Sequence, residues 1–123
     1  MTGLMVEQLR KSFETPDEVR TLPKARIEVV HLQGHTAMRA HFEPGWHWAE
    51  HVRPIVGTDQ CEVGHVGYVV SGRLATRFPD GREVISRAGD FVSFPAGHDG
   101  WVVGDEPVVF VDFVGGEGYG KRE

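Results

Sequence analysis

One cysteine, Cys61, is all the sulfhydryl chemistry the chain carries. No internal disulfide framework can exist, so apolar burial and hydrogen bonding have to hold the fold. A lone thiol fits a reducing compartment, and a cytoplasmic protein is expected. Long apolar runs are missing too, and none approaches the ~20 residues a membrane-spanning helix needs. The opening "MTGLMVEQLRKSFETPDE" lacks the apolar core and small-residue cleavage site of a secretory leader. Positive charge is scarce: 13 Lys and Arg stand against 18 Asp and Glu, a net charge of -5. The most basic short stretch, "RTLPKAR", is too sparse to track a phosphate backbone. These shortages argue against nucleic acid and membrane as partners and leave a small-molecule ligand or substrate.

What remains is an ordinary globular composition, 40% hydrophobic and 25% charged over 123 residues, the size of one domain. Residues 1–24 read as an N-terminal helix and lead-in: Leu4, Met5, Leu9 and Phe13 recur near a helical period, and Pro16 ends the run. From Ala25 the pattern changes to short segments rich in β-branched and aromatic residues. "RIEVVHL", "TAMRAHF", "GWHWAEHV", "HVGYVVS", "LATRFP", "EVISRA", "DFVSFP", "GWVVG" and "PVVFVDFV" are parted by Gly, Pro and Asp. The "PDGRE" stretch (79–83) predicts a hairpin turn through Asp-Gly. Many short strands with no helix between them predict an all-β, small antiparallel barrel or sandwich over 25–114. The tail 115–123, "GGEGYGKRE", is expected to fray.

Seven histidines accompany the thiol. Strand alternation puts Cys61, Val63, His65 and Gly67 on one face. If "GWHWAEHV" is a strand, His47, Ala49 and His51 also share a face. Imidazole and thiolate are good ligands for zinc, copper or iron, and such faces can converge inside a barrel. The plainer alternative is that Cys61 is a small buried hydrophobe and His65 a hydrogen-bonded core residue. His98 lies in "PAGHDGW", where a Pro-x-Gly bend between strands can aim it inward. His35 reads as a turn residue, and His31 and His41 as structural.

These residues resemble the cupin superfamily of small β-barrels (the jelly-roll type). Its first motif runs Gly, five residues, His-x-His, three or four residues, Glu, six residues, Gly. Gly45 and His51 match its start, and His65 stands at the glutamate position before Gly72. The second motif, Gly, five residues, Pro-x-Gly, two residues, His, is matched at Gly89, Pro95 and Gly97. The chain departs from both. Arg53 takes the second-histidine position and cannot ligate, because it stays protonated. The segment between His51 and His65 is longer than the family's by seven residues and contains Cys61. The last histidine is His98 rather than position 100, which is Gly100.

The resemblance implies a metal site, here His51, Cys61, His65 and His98 with His47 as alternate ligand. One divalent transition metal is expected, with zinc, iron, nickel and copper all compatible. Trp48, Tyr68 and Trp101 are candidate pocket residues, and Glu50, Glu62 and Asp99 candidate carboxylates behind the imidazoles. Function stays open among a metal-dependent oxygenase- or isomerase-like enzyme, a non-catalytic sensor or binding module, and a metal-free epimerase-like barrel. Thiol catalysis by Cys61 with a histidine base is a further alternative. A homodimer through edge strands, with "RIEVVHL" contributing, is also expected.

Overall fold

A computed structural model provides the structure, and it describes residues 9–121. Nine strands are present among these residues: β1 (Glu18–Leu22), β2 (Ala25–Leu32), β3 (His35–Phe42), β4 (His65–Ser71), β5 (Arg73–Arg77), β6 (Glu83–Arg87), β7 (Phe91–Phe94), β8 (Asp99–Val102) and β9 (Val108–Asp112). Six form one sheet in the order β1-β2-β3-β9-β4-β7, and three form a second in the order β6-β5-β8. Every paired neighbour is antiparallel. The fold is therefore the all-β jelly-roll type, with two sheets over a shared core that do not close into one continuous barrel.

Alternation builds that core. Ile27 and Val29 of β2, Met38, Ala40 and Phe42 of β3, Val69 of β4, and Val108 and Phe110 of β9 all point inward and are buried. Leu74 and Val102 face them from the smaller sheet. The hairpin joining β5 and β6 closes at the expected place, with the Gly81 amide donating to Phe78 and Gly81 at φ +89°.

The outer face of β2 is covered as well. Glu28 is buried there, accepting from Arg39 Nε at 2.6 Å and lying 2.8 Å from His41 Nε2. Burial alone would raise the Glu28 carboxyl, but the bonds to Arg39 and His41 and their charges outweigh it and hold it at about 2. Phe13 lies under the Arg39 guanidinium, and Asp17 accepts from the His31 amide at 2.7 Å. The segment before β1 is thereby pinned across this face.

Several expectations need correction. Residues 1–8 of the expected helix and lead-in lie outside the described residues, and residues 9–17 form turns, bends and irregular chain. Pro16 and the pinning contacts to β2 and β3 favour that path over a helix. The sheet begins at Glu18, inside the expected lead-in. "GWHWAEHV" is not a strand but runs into two short helices, α1 (Trp48–His51) and α2 (Arg53–Val56), with Pro54 in the first turn of α2, where its missing N–H costs nothing. The expected dimer edge at "RIEVVHL" is not an edge, because β2 is paired on both sides. The tail is packed rather than frayed through Lys121. Residues Gly115–Glu117 make a 3-10 turn, and Tyr119 is 3% exposed. Arg20 secures the tail by donating to the Tyr119 carbonyl at 2.6 Å and the Glu117 carbonyl at 3.3 Å.

Candidate metal centre

Cys61 lies between α2 and β4, on a length of chain with little regular structure, yet its main chain is held on both sides. Its amide donates to the His98 carbonyl at 2.8 Å, and the Gly97 amide donates to the Cys61 carbonyl at 2.6 Å. These bonds form an isolated antiparallel bridge between Cys61 and His98. The Pro95-x-Gly97 bend makes it possible, because Gly97 sits at φ +90°, a conformation that residues with a side chain rarely adopt. His65 opens β4 and pairs with Phe94, the last residue before the bend. Three stretches of chain thus deliver one thiol and two imidazoles to the same spot.

All three side chains are buried, and one ligand atom from each lies within 4.8 Å of the others. Cys61 Sγ is 3.8 Å from His65 Nε2. The two rings meet edge to face with centroids 5.1 Å apart. The other ring nitrogens are already engaged. His65 Nδ1–H donates to the Asp112 carboxylate, and His98 Nδ1–H donates to the Pro95 carbonyl at 2.9 Å. With Nδ1 engaged, Nε2 is the nitrogen each ring has left to offer a metal, which is how ligating imidazoles are ordinarily oriented.

Asp112 is 0% exposed at the end of β9. Its Oδ1 also accepts from the amides of Val114 at 2.8 Å and Gly115 at 2.9 Å. Burial by itself would push the carboxyl up. The His65 hydrogen bond and charge, with the Gly115 and Val114 amides, reverse that and hold it below its ordinary value. His98 is pushed down to about 4, first by burial and then by neighbouring His65. Tyr119 packs on His65 with centroids 5.6 Å apart. Its phenol is pushed well up by burial, with negative charge on Cys61 and Asp112 adding to the effect.

The cluster opens on a cavity of about 40 Å³ between the sheets, lined also by Met38, Phe42, Trp46, Trp48, Phe110 and Tyr119. That is room for an ion and a few water-sized groups.

Of the expected ligands, Cys61, His65 and His98 come together and His51 does not. Once α1 is helical, His51 Nδ1 turns back to the His47 main chain, 3.1 Å from its amide. His47 is also outside the cluster, with Nε2–H donating to Asp99 at 2.7 Å. Asp99 therefore supports the outer histidine, and the carboxylate behind the cluster is Asp112, which the sequence reading passed over. Alternation was the signal available: Val108, Phe110 and Asp112 share a parity. Among the pocket residues, Trp48 lines the cavity. Tyr68 is 44% exposed on the outer face of β4, and Trp101 lines a separate shallow cleft with His47 and Asp99.

Fold and cluster together define a cupin-type β-sandwich with a His/Cys centre inside it. The Cupin domain family matches residues 58–114, the span carrying all three cluster residues and Asp112. The match spans a little under half of the chain, and this part resembles a cupin domain. Solved structures agree on the fold. A cupin-like protein from Thermotoga maritima shares 18% identity, with 73% of this chain and 67% of that one covered and a TM-score of 0.52. KdgF from Halomonas sp. shares 21% identity over 80% of this chain and 87% of its own, TM-score 0.55. The polyketide cyclase RemF from Streptomyces resistomycificus shares 17% over 76% and 66%, TM-score 0.54. A search among curated proteins returned no match.

Proposed function

We propose that the protein is a metal-dependent enzyme acting on a small molecule, with Cys61, His65 and His98 holding one divalent transition metal. The observation that carries this reading is the donor set itself. Two imidazoles with Nδ1 already bonded and one sulfur face each other in a buried space. From ordinary bond lengths, sulfur and nitrogen on a tetrahedral zinc stand about 3.6 Å apart, and Cys61 Sγ and His65 Nε2 are 3.8 Å apart. Three protein ligands leave a position for water or substrate, the arrangement of catalytic rather than structural sites. A metal bound there would act as a Lewis acid toward an oxygen of the substrate or toward water. The chain's own part is to fix the ligands through Asp112 and Pro95 and to keep bulk water out with Tyr119, Trp48 and Phe110.

The same geometry favours a second reading without metal. Asp112, His65 and Cys61 form a carboxylate–imidazole–thiol series, and His65 Nε2 is placed to take the thiol proton. Elemental analysis of untagged protein separates the two. One equivalent of metal is expected in the parent and in His51→Ala, falling below one tenth in Cys61→Ser and His98→Ala. Metal-free parent protein whose Cys61 is alkylated faster at neutral pH than an ordinary thiol would move the assignment to thiol chemistry.

A further inference from the structure

Trp46 has no role in the metal reading, yet its environment is unusual. The residue is 3% exposed, and its indole nitrogen is buried with no hydrogen-bond partner among the described residues. The ring is not free to seek one. It stacks on Phe42 with centroids 4.0 Å apart and planes at 27°. Its main chain is held at both ends, the amide donating to the Glu43 carbonyl and the carbonyl accepting from the Val102 amide, each at 3.0 Å. Burying a donor and then fixing it without an acceptor costs stability, and buried donors in folded proteins nearly always find a partner. Trp46 lines the same cavity as Cys61, His65 and His98.

We propose that the missing partner is the ligand, and that Trp46 Nε1–H donates to an acceptor oxygen on the small molecule that enters the cavity. This rests on the cavity being the ligand site, as proposed above. The lining also restricts what that oxygen can be. Among the described residues, no Lys, Arg, Asp or Glu lines the cavity. Apart from the metal proposed above, nothing in that lining carries a fixed positive charge, so a carboxylate or phosphate held by Trp46 and not on the metal would be buried unpaired, at heavy cost. A neutral carbonyl oxygen satisfies the indole and asks for no counter-charge. The ligand class is a small, uncharged, largely apolar molecule bearing a carbonyl group. Trp46 selects it by leaving a donor unsatisfied when anything else occupies the space.

Two small probes of nearly equal shape test this, acetone and isobutene, titrated into the purified protein with its metal as isolated. The Trp46 indole N–H signal is followed by NMR, assigned through its contacts to the Phe42 ring. The ketone is expected to bind about tenfold more tightly than the alkene and to move the Trp46 signal downfield, with the alkene leaving it in place. Trp46→Phe keeps the stacked ring and should abolish the preference while retaining alkene binding. Should that variant fail to fold, the indole shift in the parent still decides. Equal binding of the two probes, an unmoved indole signal, or a preference surviving in Trp46→Phe overturns the role of Trp46 and leaves the cavity as a ligand site. Acetate that binds as tightly as the ketone and moves the Trp46 signal overturns the neutral-ligand class. Failure of every probe to enter removes both this inference and the assignment of the cavity beneath it.

Discussion

The molecule contains two His–Asp pairs of the same chemistry in opposite surroundings. The inner pair, His65 with Asp112, is 8% and 0% exposed at the side chains. The outer pair, His47 with Asp99, is 34% and 27% exposed. Asp99 spends its second oxygen on the amides of Ala49 at 3.1 Å and Gly100 at 2.8 Å, pinning α1 to β8. Asp112 spends its own on the turn that begins the tail. The outer pair is a solvated brace. The inner pair, buried beside a thiol and a second imidazole, sets the tautomer of a ring at the edge of a cavity. A sequence motif cannot separate the two, because the difference is one of depth.

The sharpest way to break this comparison is to neutralise each acid in turn. Asp112→Asn removes a buried charge from a paired ring and is expected to cost about 3–5 kcal/mol. It should also weaken metal retention by about 10–100-fold. Urea denaturation and a competition assay with a chelating dye would measure both, and unchanged retention would reduce the pair to a core brace. Acid titration comes next in size. In metal-stripped protein His98 is neutral when folded, at about 4, while the unfolded chain titrates near 6.5. Protons therefore bind the unfolded chain first. This group's share of stability is complete above pH 6.5 and is lost as pH falls toward 4, about 3 kcal/mol in all. Glu28, held at about 2 against 4.5, loses its share in a separate, lower window, from 4.5 downward. Urea midpoints between pH 7.5 and 4 should show the upper step in the parent and not in His98→Gln. The smallest effect belongs to the outer pair: Asp99→Asn should cost no more than about 1 kcal/mol and leave metal content unchanged. Metal loss in that variant would mean that the outer brace, acting through neighbouring His98, positions the centre.

Most strands were legible because each buries one face, and a period of two writes itself into the residues. "HVGYVVS" corresponds residue for residue to β4. The "PAGHDGW" bend was legible for a different reason, since Pro and Gly fix backbone angles locally. "GWHWAEHV" misled because tryptophan and histidine suit a strand, while what decides the conformation is tertiary: Trp48 and Val52 are buried at 2% and 0% from one side of a helical turn. The error propagated to His51, whose inward direction depended on that strand. Asp112 and Tyr119 were missed because a lone acid in an apolar strand and an aromatic in a Gly-rich tail give no local sign of burial. Their partners, His65 and Arg20, are 47 and 99 positions away.

The rung between Cys61 and His98 has a consequence for how the centre can change. Because main-chain bonds set the spacing of these two positions, the scaffold survives when a side chain is exchanged. Replacing sulfur by a third imidazole at position 61 would shift preference from soft to borderline metals while the geometry stays put. A metal held there as proposed would sit in an adjustable socket, in which a single codon chooses the ion.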